Sequence, residues 1–159
     1  MNEYIQALPG ILFWVGLFVV LRVTRKKREE ASMRPKNAAQ RELVDDVIAT
    51  IERTAPDFDG AAVYPSGSKE RSASGSYGGH IAFRSLCGGR FEYNFESHGY
   101  SVSREMALTL AAAIAKRFGS EYRPVYSRAE SISGYRVMSP RQLAEEREQK
   151  RREDSLKRL

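Results

Sequence analysis

The feature that most constrains this chain is a long run without charge near its start. From Tyr4 to Leu21 there are eighteen residues with no Asp, Glu, Lys or Arg, and Gln6 is the only strongly polar side chain among them. A helix that crosses a bilayer needs about 20 apolar residues, with a range of roughly 17–25. The run meets that requirement. Val23 extends it if the stem of Arg22 lies along the apolar surface with its guanidinium among the headgroups. Pro9 falls in the first turns, where a missing N–H costs least, and Tyr4 stands where an interfacial aromatic belongs. A secretory signal has its basic residues before the apolar run and a small-x-small site after it. Here the basic residues follow, and no such site is present. Residues 1–23 are therefore expected to form a transmembrane anchor.

The charge distribution orients that anchor. The whole chain carries a formal +6. Residues 22–36 hold seven Lys/Arg against two Glu, a net of +5, whereas residues 37–159 carry only +2. Basic flanks stay on the cytoplasmic side, so the N-terminus is expected outside and the C-terminus in the cytoplasm of a single-pass protein of the cell membrane. Arg22, Arg25, Lys26, Lys27 and Arg28 are the expected membrane-surface contacts, since each basic side chain near anionic headgroups contributes about 1 kcal/mol. A nearly neutral remainder weakens any nucleic-acid reading that rests on overall basicity. Cys87 is the only cysteine, which rules out an internal disulfide and leaves a thiol that is inert unless its pKa is depressed.

Residues 24–37 read as a basic juxtamembrane linker, and residues 38–139 as one cytosolic domain. Leu43, Val44, Val47, Ile48 and Ile51 recur at one-face helical spacing, which predicts a helix over 38–54 ended by Pro56. "AAVY" at 61–64 predicts a short strand. Residues 65–79 hold five Ser and four Gly, the composition of a flexible loop, in which Lys69 and Arg71 could receive an anion on backbone amides. Ile81 and Phe83, then Phe91, Tyr93 and Phe95, alternate with polar residues as half-buried strands do. A three-residue Cys87-Gly88-Gly89 turn with Gly89 left-handed keeps the apolar faces together. It opposes Phe83 to Tyr93, Ile81 to Phe95 and Arg84 to Glu92. "YSV" at 100–102 is a brief additional strand. Ser103 is the expected cap of a helix whose buried face is Ala107, Leu110, Ala111, Ile114, Ala115 and Phe118, ended by Gly119. "RPVYS" and "GYRVMS" predict two further strands. The order α-β-β-β-(β)-α-β-β implies an α+β fold, two layers with a mostly antiparallel sheet and two helices on one face.

Residues 140–159 read as a charged helical tail. Ser139, Pro140 and Gln142 form a start signal, and Glu146–Lys150, Glu148–Arg152, Glu153–Lys157 and Asp154–Arg158 fit i,i+4 pairing. With only Leu143, Leu156 and Leu159 strongly apolar, the tail has little to bury, and removal of residues 143–159 is expected to leave the domain folded.

Motifs for chemistry are sparse. Asp57 and Asp59 in "DFDG" resemble the start of a metal or hydrolase site, but a helix-to-strand turn uses the same residues. His80 and His98 lie outside any zinc spacing, and there is no P-loop, dinucleotide fingerprint or G-x-S-x-G elbow. No cofactor, metal or catalytic residue is expected, and the chain reads as a non-enzyme.

The stretch "GYSVSREMALTLAAAIAKRF" resembles the last strand-to-helix junction of double-stranded-RNA-binding domains through Gly99, Ser103, Ala107, Ala111, Ala112 and Ala115. That resemblance covers about twenty residues and implies an α-β-β-β-α core with contacts to RNA. The family's basic pair after the serine is Arg104-Glu105 here. The leading expectation is an adaptor or subunit of a membrane-associated assembly, with the lipid bilayer and an unidentified protein as partners. A membrane-tethered RNA-binding module is the first alternative. A hydrolase using the Ser/Gly loop with Asp57 and Asp59 is the second.

Overall fold

The computed structural model describes Pro35, residues 37–70, Ser72, Gly75, residues 78–127 and residues 131–156. The expected anchor, its basic flank and Arg71 lie outside the described residues. Among the described residues no helix is long and apolar enough to cross a membrane. The described part is an α+β fold of three α-helices and a five-stranded antiparallel sheet.

Helix α1 spans Ala38–Thr54. It starts where the Asn37 side chain accepts the Gln40 N–H at 2.9 Å, and buries Leu43, Val44, Val47 and Ile51. Strand β1 follows at Phe58–Tyr64, three residues earlier than "AAVY" alone indicates. The extra length carries a bulge between Phe58 and Ala61. Gly60 sits there at φ +99°, and a side chain would meet the Val137 carbonyl at 3.0 Å, so glycine is required on both counts. Phe58 faces the core and stacks on Phe118 with centroids 4.3 Å apart.

Strands β2 (His80–Ser85) and β3 (Arg90–Asn94) form the hairpin, with a register that corrects the sequence expectation. Phe83 opposes Phe91, Ile81 opposes Tyr93 and Arg84 opposes Arg90. The turn has three residues, as expected, but they are Leu86-Cys87-Gly88: the Gly88 N–H donates to the Ser85 carbonyl at 3.0 Å, and the Ser85 N–H to Gly89 at 2.9 Å. Gly88 is the left-handed residue, at φ +90°. A two-residue slide keeps every side chain on its own face, so alternation alone does not distinguish the two registers. Contacts from outside the hairpin do. The Asp57 carbonyl accepts the Leu86 N–H at 2.9 Å, and its carboxylate accepts the Ser85 hydroxyl at 2.5 Å and the Cys87 N–H at 3.0 Å.

Phe95 leaves the ladder in a helical conformation before a 3-10 turn at Glu96–His98, yet is fully buried. "YSV" forms no strand. Its Val102 instead pairs with Ser66, accepting the Ser66 N–H at 2.8 Å and donating to its hydroxyl at 2.9 Å. Helix α2, Arg104–Arg117, starts as expected at Ser103, whose hydroxyl accepts the Met106 N–H at 3.2 Å. Strands β4 (Tyr122–Tyr126) and β5 (Ile132–Val137) return, and β5 pairs with β1. The sheet order is β3-β2-β1-β5-β4. Val47 and Ile51 of α1 and Leu110, Ala111 and Ile114 of α2 share one buried cluster with Val63, Ile81, Phe83, Tyr93 and Val137 of the sheet. Both helices therefore cover the same sheet face.

Helix α3, Pro140–Leu156, begins with the expected reciprocal cap. Gln142 N–H donates to the Ser139 hydroxyl and Ser139 N–H to the Gln142 side chain, each at 3.1 Å. Of the expected i,i+4 pairs, Glu148–Arg152 is formed, while Glu153–Lys157 and Asp154–Arg158 extend outside the described residues. The expectation of an undocked tail needs one correction. Leu143 is buried, and Arg123 on β4 grips the Glu146 carboxylate with two hydrogen bonds, at 2.7 and 3.1 Å. From Ala144 to Ser155 every side chain is exposed.

Candidate functional site

The second face of the sheet carries neither α1 nor α2, and its composition differs from the core face. One rung runs Arg136–Ala62–Ala82–Glu92 across β5, β1, β2 and β3. The adjacent rung on the hairpin holds Arg84 directly opposite Arg90. Ala62 and Ala82 make a low floor, and Arg84, Arg90 and Arg136 rise from it with exposed side chains. Met138 and Gln142, at the start of α3, line the same trough, whose volume is about 560 Å³.

At the other end of the strands the floor is closed. His80 is only 2% exposed. Its Nδ1 lies 3.0 Å from the Gly78 carbonyl, which identifies Nδ1–H as the donor, and its Nε2 is 3.8 Å from Glu92. Tyr64 packs on the ring with centroids 5.0 Å apart. Burial pushes the Tyr64 hydroxyl above its ordinary pKa, the Glu70 charge adds to that, and Arg136 opposes it.

Arg84 opposite Arg90 is a like-charge pair, an arrangement that costs stability when nothing offsets it. Arg136 likewise opposes Arg123, but Arg123 is engaged by Glu146 and its pKa is raised by that contact. Among the described residues no ion pair joins Arg84, Arg90 or Arg136 to a carboxylate within 4 Å.

The helical side is electrostatically different. A broad hollow there is lined by Glu42, Asp45 and Asp46 of α1 with His98 and Tyr100. Asp46 accepts the Tyr93 hydroxyl at 2.5 Å, and His98 stacks on Tyr93 at 4.1 Å between centroids. Burial, followed by the Asp46 hydrogen bond and charge, pushes the Tyr93 hydroxyl far up. These groups are engaged in holding the 3-10 turn against α1.

The residues singled out from the sequence are dispersed. Lys69 is exposed, and Arg71 lies outside the described residues. Asp57 is engaged with Ser85 and Cys87 at the hairpin tip, and its carboxyl is held down at about 2, first by the Cys87 side chain and then by the Ser85 hydroxyl. Asp59 lies in β1. Ser66 and Ser68 follow the far end of that strand, about 30 Å or more along the chain from Asp57 at roughly 3.3 Å per residue. They donate to Val102 and to the Ser133 carbonyl. The aspartates and these loop serines are not brought together. Among the described residues no group of three His, Cys, Asp or Glu side chains is placed to hold a metal ion.

Sequence reasoning did not single out Arg84, Arg90 and Arg136. The signal for the first two was present in the hairpin, but only the Leu86-Cys87-Gly88 register sets them opposite each other. Arg136 joins them only because β5 inserts beside β1. No family model, curated protein or solved structure matches the chain.

Proposed function

We propose that this chain is a single-pass membrane protein that presents the α+β domain in the cytoplasm, as an adaptor or subunit of a membrane-associated assembly, and that the open sheet face receives its protein partner. The observation that carries this reading is the trough over Ala62 and Ala82 with Arg84, Arg90 and Arg136, which pair with no carboxylate among the described residues. A two-layer domain stabilises its sheet from the helical side. The second face is not needed for that, and here it combines a recess with basic charge that no carboxylate among the described residues offsets. The uncharged run Tyr4–Leu21 and the +5 segment after it support the membrane placement.

The test is site-specific cross-linking in intact membranes. A photoreactive amino acid replaces Ala82 in the full chain, and a second version carries it at Ala49, on the exposed helical side. A discrete protein adduct is expected from position 82 and not from position 49. Adducts from 49 alone, or from neither, overturn the assignment of the sheet face.

A further inference from the structure

The proposed interface carries enough detail to specify the chemistry of its occupant, an inference that rests on the sheet face being the binding surface. We infer that the trough takes an extended acidic polypeptide segment with carboxylates at alternate positions. The first support is charge. The fold offsets the Arg123–Arg136 opposition internally through Glu146, but leaves Arg84 opposite Arg90 without a carboxylate partner among the described residues. A carboxylate placed between two guanidiniums relieves that repulsion and accepts charge-assisted hydrogen bonds from both.

The second support is spacing. The Arg84–Arg90 rung and the rung holding Arg136 are two residues apart along β2, since Arg136 shares a rung with Ala82. That separation is about 6.8 Å, which is also the distance between side chains on one face of an extended chain. A segment lying along β1 therefore presents one carboxylate to Arg84 and Arg90 and the next same-face carboxylate to Arg136. The third support is the floor. The small side chains of Ala62 and Ala82 leave room for a backbone to lie close.

The floor also argues against a nucleic acid. Single-stranded binders stack bases on exposed aromatic rings, each worth about 1–3 kcal/mol; this trough has an alanine floor, and the two aromatics at its border, Phe83 and the partly buried Phe91, stack on each other and pack against the core.

The test uses the full chain in mild detergent and a fluorescein-labelled alternating Glu-Thr peptide of about ten residues, long enough to span the strand. Anisotropy is read at about 0.01 M ionic strength, where charges act over about 30 Å, against a Lys-Thr peptide and a single-stranded RNA of equal length. The Glu-Thr peptide is expected to bind and the other two not. Arg84→Glu and Arg136→Glu each weaken it by about tenfold or more, equivalent to about 1.4 kcal/mol. Ala82→Trp fills the recess and abolishes binding without changing charge. Arg53→Glu, on α1, leaves it unchanged. RNA binding as tight as the peptide overturns the proposal, as does peptide binding that survives both Arg84→Glu and Ala82→Trp. Failure of the peptide while the Ala82 cross-link still forms overturns the acidic chemistry alone. Failure of both overturns the sheet-face reading as well.

Discussion

Asp57 joins the entrance of the first strand to the tip of the hairpin, and its titration has a defined consequence. Its folded pKa, about 2, lies below the ordinary value of 3.8. A carboxylate depressed in this way stabilises the fold above its unfolded pKa, and that contribution is lost as pH falls through the folded value. Urea midpoints measured across pH 4 to 2 should therefore fall more steeply for the natural chain than for Asp57→Asn. Parallel profiles would show that Asp57 does not carry the effect. The same contact pushes the Cys87 thiol up, through the hydrogen bond to Asp57 and its negative charge. Because Cys87 is the sole cysteine, alkylation reads it directly. At pH 8 it should react with iodoacetamide more slowly than a free thiol, and faster in Asp57→Asn, since the thiolate is the nucleophile. An unchanged rate would remove Asp57 as the cause. The sequence marks Asp57 as a turn residue and Cys87 as an inert thiol. That they are partners depends on a contact spanning thirty residues.

At the scale of elements, the hairpin separates what alternation decides from what pairing decides. Tyr93 is on the core face in either register and is 2% exposed. Tyr93→Ala is expected to cost about 3–5 kcal/mol, as truncation of a buried aromatic does. Tyr93→Phe removes only the hydrogen bond to Asp46, and should cost about 0.5–1.5 kcal/mol. Glu92→Lys, on the outer face, should cost about 1 kcal/mol or less. Chemical denaturation gives all three, and comparable losses for Glu92→Lys and Tyr93→Ala would show that the faces are misassigned. Helix α3 provides a second case. Ending the chain after Arg147 keeps Leu143 and the Arg123–Glu146 grip, and should leave the melting temperature unchanged. Ending it before Leu143 removes both. Burying one such leucine contributes about 1.5–3 kcal/mol, so a fall of several degrees is expected. Equal melting temperatures for the two truncations would mean that the first turns of α3 contribute nothing to the fold.

For the molecule as a whole, the proposed membrane placement makes a topological prediction. Seven basic residues lie within the fifteen that follow the uncharged run, and none precedes it. A fluorescent reporter that matures only in the cytoplasm should therefore be bright when fused after Leu159, and an enzymatic reporter that works only outside the membrane should be silent there. The reverse pattern would overturn the orientation. The domain's small net charge conceals an asymmetry. In the hollow on the helical side Glu42, Asp45 and Asp46 outnumber Arg41, while on the open sheet face Arg84, Arg90 and Arg136 outnumber Glu92. Binding through the latter should weaken with added salt, because exposed charges are screened.

By itself, the sequence determined the spans of α1 and α2, the caps at Ser103 and Ser139, the inward residues of the hairpin and the charged character of α3. Each of these depends on a helical or strand repeat, or on a side chain bonding to backbone a few residues away, and such short-range physics is written in neighbouring letters. The tertiary structure decided the hairpin register, the absence of a strand at "YSV", the burial of Leu143 and the strand order. It thereby decided the candidate site. Alternation has period two, so it cannot distinguish registers that differ by two residues; Asp57, reaching the turn from another element, selects one. Nothing in the residues near Arg136 indicates that β5 will lie against β1. That placement comes from packing Tyr135 and Val137 into the shared core, and it carries Arg136 onto the open face with Arg84 and Arg90.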